Sequence, residues 1–245
     1  MKVFISLRFL TFSFLTILFF SFTSCIDDID TVDDFGKTPD GVFTDYRDKK
    51  IYNYVHIGDQ TWMAENLAFL PEASPPSIGS QFYKYYYVYG YYDAPNAPSP
   101  TSTENFKTYG VLYNCEAAKT ACPSDWHLPS DDEWKILEKY LGMSSSNIND
   151  IGYRYTGLVG KKLKSATGWV NNGNGDNSSG FNALPGGYRF DDGNFHRIGY
   201  SADFWSSSIE KMNYNWDRYL YYNDEGVRRF SYYSSYAFSV RCIRD

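Results

Sequence analysis

The run from Tyr109 to Leu141 constrains the fold of this chain more tightly than any other stretch, because it demands two helices separated by a break too short for another element. Tyr113, Ala117 and Ala121 recur at helical spacing, and Pro123 cannot continue a helix, so the pattern predicts a first helix of roughly Tyr113 to Ala121. Ser130 stands three residues before Glu133, the spacing of a capping box, in which hydroxyl and carboxylate each satisfy the other's backbone amide. Asp131 and Asp132 then sit at the positive end of a second helix. Trp134, Leu137 and Leu141 line one face of it, and Gly142 can close it in a left-handed conformation. Between the helices, Trp126-His127-Leu128 has room only for an extended connector.

The run Cys122-Pro-Ser-Asp-Trp126-His-Leu-Pro129-Ser130-Asp-Asp-Glu133-Trp134 resembles the Fibrobacter succinogenes major paralogous domain, a family common in bacterial surface lipoproteins. Further matches follow in order: Gly58-Asp-Gln-Thr-Trp62-Met-Ala-Glu65-Asn66-Leu67, Tyr109-Gly-Val-Leu-Tyr113-Asn114, Gly180-Phe-Asn-Ala-Leu-Pro185-Gly186-Gly187-Tyr188-Arg189, Phe204-Trp205-Ser206-Ser207-Ser208 and Phe238-Ser-Val-Arg-Cys242. The resemblance covers about Gly41 to Asp245. It implies an α+β, C-type-lectin-like fold, distantly similar to the formylglycine-generating enzyme group. Two short helices would pack on small, loop-rich antiparallel sheets with the N- and C-terminal strands adjacent. About activity the resemblance implies little.

The first 24 residues read as a targeting segment. Lys2 and Arg8 precede the apolar run Phe9 to Phe20, and small polar residues lead into Cys25, the layout of a secretory signal peptide. A Cys directly after Phe22-Thr-Ser24 resembles a lipoprotein signal of Bacteroidetes-like bacteria, in which the Cys25 thiol is acylated and holds the chain to a membrane by burying methylenes worth about 0.8 kcal/mol each. Residues 25–40 form an acidic tether with Asp27, Asp28, Asp30, Asp33 and Asp34. Such a run resembles a surface-export signal, and the expected location is the outer membrane, facing the cell exterior. The net charge of −6 becomes more negative once Lys2 and Arg8 are removed. Nucleic acid is therefore not an expected partner, since phosphate binding needs the opposite sign.

With Cys25 lipidated, three cysteines remain. The family resemblance implies a disulfide between Cys122 and Cys242, because a lectin-like fold ties the end of its first helix to its last strand. Closing so long a loop is worth about 4 to 5 kcal/mol in the chain-entropy model. Cys115 stands where relatives usually carry Trp, and is expected to be a buried free thiol.

Aromatic residues make up 20% of the chain, 24 of them Tyr, and with 19 Gly they indicate a loop-rich mixed fold rather than a helical bundle. Ile51 to Ile57 and Gln60 to Met63 read as N-terminal strands joined at Gly58-Asp59. Residues 71–108 look like an insertion rich in Tyr, Pro and Ser, and loops of that length are uncommon without a function or disorder. Tyrosine rings stack on the apolar faces of sugars, which makes Tyr85, Tyr87 and Tyr89 candidate ligand contacts; the bland reading is a hairpin packed on the domain. The loop Asn171 to Gly180 is the most polar in the chain. Asn174 and Asp176 are weak calcium candidates, although the loop lacks EF-hand spacing and its Asn-Gly pairs are turn formers. Beyond it, Gly180 to Arg189 reads as a core strand with a Pro-Gly-Gly bend, and Phe204 to Ser208, Tyr214 to Tyr222, Val227 to Tyr233 and Ala237 to Ile243 as antiparallel strands.

No catalytic signature stands out. The three histidines are isolated, no zinc pattern or nucleophile elbow occurs, and no cofactor is expected. His127 is read as a buried hydrogen-bonder. The formylglycine-generating relatives work through a pair of close C-terminal cysteines, whereas here Cys242 stands alone. Asp125, Asp191, Asp203 and Glu210 are the suspects for a carboxylate-pair hydrolase, each equally readable as a solvated surface acid. The expectation is a noncatalytic binding or adhesion module for glycans or proteins. Its alternatives are an enzyme acting on surface polysaccharide and a passive component of an envelope assembly.

Overall fold

The computed structural model describes Met1 and residues 36–245. The signal segment, Cys25 and the acid-rich residues 27–34 lie outside the described residues.

In chain order, β-formers build β1 (Gly41–Thr44), β2 (Ile51–Ile57) and β3 (Gln60–Met63). The insertion contributes β4 (Tyr86–Tyr87) and α1 (Glu104–Tyr109), whose cap Thr103 accepts from the Phe106 amide. Next come β5 (Leu112–Asn114), α2 (Cys115–Ala118), β6 (Trp126–His127) and α3 (Asp131–Tyr140). Then follow β7 (Gly152–Arg154), α4 (Val159–Leu163), β8 (Tyr188–Arg189) and β9 (Phe195–His196). The chain closes with β10 (Ser201–Lys211), β11 (Tyr214–Tyr221), β12 (Val227–Tyr233), β13 (Ala237–Phe238) and β14 (Ile243–Arg244).

The class is α+β, with three antiparallel sheets ordered β1-β2-β3-β14-β6, β10-β11-β12-β7 and β4-β5-β13-β8-β9. As expected, β14 lies between β3 and β6, so the first and last strands share a sheet; Ile243 pairs with both Trp62 and His127. Cys122 and Cys242 form the disulfide that fixes this return, and Cys115 is buried and free.

Three local expectations need correction. Among the described residues, four short α-helices stand where two were expected. The first predicted helix starts later: Tyr113 and Asn114 belong to β5, held by Phe238 and Ala237 on one side and Tyr86 on the other, and α2 begins only at Cys115. Asn114 caps it by accepting from the Ala117 amide. Ala237 to Ile243 is not one strand either, because the chain leaves one sheet after Phe238 and joins another at Ile243. Arg241 anchors the crossing by donating to Asn66 Oδ1 and to the carbonyls of Met63, Phe181 and Asn182.

Helix α3 follows the reading closely. Ser130 and Glu133 make both capping-box bonds, and Gly142, at φ 107°, closes a Schellman motif in which Met143 N–H reaches Glu138 O and Gly142 N–H reaches Lys139 O. Its inner face buries Trp134 against Trp62, Phe181 and Phe204, with ring centroids 4.8, 5.7 and 6.0 Å away. Trp205 centres a second cluster, its ring tilted 4.3 Å from Phe238 and its indole N–H on Tyr113 O at 2.7 Å. Parallel bridges Gly187–Ala202 and Phe204–Ser239 draw the third sheet against β10. That junction creates the concave surface described next.

Candidate functional site

Side chains alternate across a strand, so each face of the β10-β11-β12-β7 sheet carries its own set. One face turns Arg154, Arg218 and Arg229 toward α3, where Glu138 and Asp131 pair with them. On the other face the register places Asp203, Tyr219, Arg228 and Tyr153 in a single row, one residue from each of the four strands. All four line a cavity of about 210 Å³. Tyr188 and Phe238, from β8 and β13, also line it, with Phe190, Tyr236, Arg197 and, on the same face of β12 as Arg228, Tyr232.

The walls are mostly rings in mutual contact. Phe190 and Tyr236 lie 4.5 Å apart, Tyr232 packs 5.4 Å from Tyr236, and Tyr232 meets Phe238 edge-on at 5.5 Å. Arg228 stacks over Tyr219 at 4.5 Å and donates to the Tyr232 hydroxyl. Arg197 donates to the Tyr219 hydroxyl at 3.0 Å and lies over Tyr221 at 5.1 Å. Cation–ring contacts of this kind hold a guanidinium plane while leaving N–H edges available.

Two carboxyl groups sit beneath this surface. Asp203 is 2% exposed and accepts from the Ser201 hydroxyl at 2.9 Å. Burial pushes its pKa up to about 7, against the opposing pull of Ser201, Arg228 and Arg197. Asp217, fully buried on β11, has no hydrogen-bond partner on either oxygen, and burial holds its carboxyl well above the usual range. Near neutral pH the pocket thus presents two cations over one acid held neutral, Asp217, and one, Asp203, that is partly protonated.

The sequence-derived candidates fall elsewhere. Tyr87 is fully buried, its hydroxyl donating to Ile78 O at 2.6 Å and its ring 4.7 Å below the Arg189 guanidinium, so a surface ligand cannot reach it. Tyr85 and Tyr89 are half-buried; Tyr89 packs 5.1 Å from Phe195, and neither lines the cavity. Asn174 Oδ1 accepts from Trp169 N and Asp176 Oδ1 from Ser178 N, the bonds of a structural turn. Among the described residues no group of three His, Cys, Asp or Glu side chains converges as a metal site. Asp125, Asp191 and Glu210 are exposed, whereas Asp203 is buried at the pocket, contrary to its reading as a solvated acid. His127, only half-buried, lies 2.5 Å from Asp245 Oδ1 and 2.8 Å from Glu133 Oε1. Partial burial opposes its protonation, but the hydrogen bonds the ring makes to the two carboxylates outweigh that and raise its pKa.

Sequence reasoning singled out Asp203 but missed Tyr219, Arg197, Arg228, Tyr153 and Tyr188 as members of one site. The period-two series Arg228, Phe230, Tyr232 was a usable signal on β12 alone. Which other strands face it depends on pairing across 80 residues of chain, from Tyr153 to Tyr232 and beyond.

No curated protein and no solved structure matches the chain significantly. The matching motifs, the return of β14 beside β3 and the strands that frame this pocket all fall within residues 55–244, the span matched by the model of the Fibrobacter succinogenes major domain, and the chain belongs to that family.

Proposed function

We propose that this chain is a noncatalytic, lipid-anchored recognition module at the outer face of the outer membrane, binding saccharides through the pocket between β8, β13 and the row Asp203-Tyr219-Arg228-Tyr153. The observation that carries this reading is the pocket itself: stacked rings offer flat apolar faces, while tyrosine hydroxyls and guanidinium edges offer directional hydrogen bonds. A lectin-like architecture accords with the adjacent terminal strands and with the disulfide from the end of α2 to the approach of β14. The anchor rests on the sequence from Lys2 to Cys25 and the acidic run behind it. It is tested by metabolic labelling with an alkyne fatty acid, which Cys25→Ser should abolish.

A glycan array tests the recognition role. Tyr153 stands at the rim, 39% exposed, so Tyr153→Ser should spare the fold yet weaken binding by about five- to tenfold. Tyr85→Ser should leave binding unchanged. The reverse pattern would move the ligand to the insertion and sink the assignment.

One observation favours a second reading, an enzyme acting on polysaccharide: Asp203, a carboxyl with its pKa near 7 at the cavity floor, suits a general acid. Turnover of an array-positive glycan, lost in Asp203→Asn, would establish it; binding without turnover supports the module.

A further inference from the structure

Apart from the exposed Arg244, the arginines among the described residues sort into three groups by what satisfies them. Arg154, Arg218 and Arg229 pair with the buried carboxylates of Glu138 and Asp131, and Arg47 pairs with Asp45. Arg189 and Arg241 spend their donors largely on backbone carbonyls, Arg189 on Pro76, Ile78 and Ser235. Arg197 and Arg228 belong to neither group. Among the described residues, no carboxylate lies within ion-pair distance of either one. Each donates to a tyrosine hydroxyl, and Arg228 Nε is buried with no partner.

A guanidinium carries five N–H donors in a planar fork and stays charged at any ordinary pH. Two such groups on the walls of one cavity, unpaired by the protein, make it a place where an anion gains both charge and directional hydrogen bonds. The nearest acids, Asp203 and Asp217, act on Arg228 only through space: neither comes within ion-pair distance of a guanidinium, and burial favours the neutral form of both. At about 210 Å³ the cavity is smaller than the roughly 300–1,000 Å³ typical of extended ligands, so it suits one terminal unit rather than a run of chain.

Building on the saccharide reading, we infer that the sugar unit seated in this pocket is acidic, a uronic-type residue whose carboxylate is held by Arg197 and Arg228 while its ring lies against the tyrosines. A planar carboxylate matches the guanidinium fork in a bidentate pair. The ring walls favour a sugar over a peptide carboxyl end, since Tyr153, Tyr188, Tyr232 and Tyr236 supply flat faces beyond the reach of a carboxylate alone.

The test is an NMR titration of the detergent-solubilised full chain with methyl glucuronide, methyl glucoside and hippurate. The glucuronide should bind at least tenfold more tightly than the glucoside, and the advantage should shrink as salt rises from about 0.05 to about 0.5 M. Arg228→Gln should reduce the ratio to less than about twofold, Arg197→Gln should lower it in part, and Arg228→Lys should retain part of it. Near-ultraviolet circular dichroism checks that each variant is folded, and the salt dependence of the unmodified chain tests the charge independently of any variant. Equal affinity for glucuronide and glucoside would overturn the acidic-sugar inference while leaving saccharide binding standing. Binding of hippurate as tight as the glucuronide would overturn it in favour of a peptide carboxylate. Binding of neither sugar would remove the recognition reading itself.

Discussion

Asn114 fills all four of its side-chain hydrogen-bonding positions. Its oxygen accepts from Ala117 N, capping α2, and from Tyr85 N, while its nitrogen donates to Ser80 O and Tyr83 O and so ties down the insertion. The sequence put position 114 inside a helix running from Tyr113, so neither this cap nor the three bonds to residues 80–85 was legible, because nothing local announces them. Asp203 is a second residue whose behaviour comes from its surroundings. Ser201, Tyr219, Arg228, Arg197 and Tyr188 surround it, and Asp217 lies on the adjacent strand. Its pKa is raised from 3.8 to about 7, so the folded state holds its proton more tightly than the unfolded chain does. The stability it contributes is complete below about pH 4, declines as pH rises, and is lost once pH passes about 7. Asp203→Asn should therefore flatten the pH dependence between those limits by on the order of 4 kcal/mol, read from denaturant melts at several pH values. Parallel profiles for variant and parent would show that Asp203 is ionised in the fold.

Helix α3 shows how much an element can reveal in advance. Its start, its stop and its apolar stripe depend on contacts within four or five residues, and the capping box, Gly142 and the Trp134-Leu137-Leu141 face all stand where the sequence put them. Its acids were only half legible. Asp131 suits the helix N-terminus, yet it also accepts from Arg218 at 2.9 Å and from Arg229 at 2.8 and 2.7 Å. Burial alone would raise its pKa, but those two arginines and Lys135 hold the carboxyl far below the ordinary range. Glu138, seven residues on and so two turns along the same face, is fully buried and accepts from Arg154 at 2.8 and 2.6 Å and from Arg218 at 2.5 Å. Glu138→Ala strands the buried Arg154 guanidinium and removes one of the two carboxylates of Arg218, and should cost about 3–5 kcal/mol of unfolding free energy. A loss below about 1 kcal/mol in urea melts would mean the arginines find other partners. By contrast, the predicted helix from Tyr113 failed at its start because residues 112–114 take their conformation from β4 and β13, partners that helical periodicity does not register.

At the scale of the molecule, the chain is closed by the Cys122–Cys242 bridge, spanning 120 residues. Cys242→Ser should lower stability by roughly 3–5 kcal/mol, seen as a depressed thermal midpoint, with the near-ultraviolet spectrum of the folded state preserved at low temperature. An unchanged midpoint would show that β14 is held by its strand partners alone. The pairing was readable through the family motif, and the closing strands through their alternation. The pocket was readable through neither, since its lining runs from Tyr153 to Phe238 and gathers six strands and their loops. By itself, the amino-acid order determined the helix caps, the turns and the strand segments, all of which depend on neighbours a few residues away. Only the tertiary structure decided that Tyr87 would be buried, that Asp203 would be dry, and that two unpaired arginines would share one ring-lined cavity, because those outcomes depend on which strands, distant in the chain, come to lie side by side.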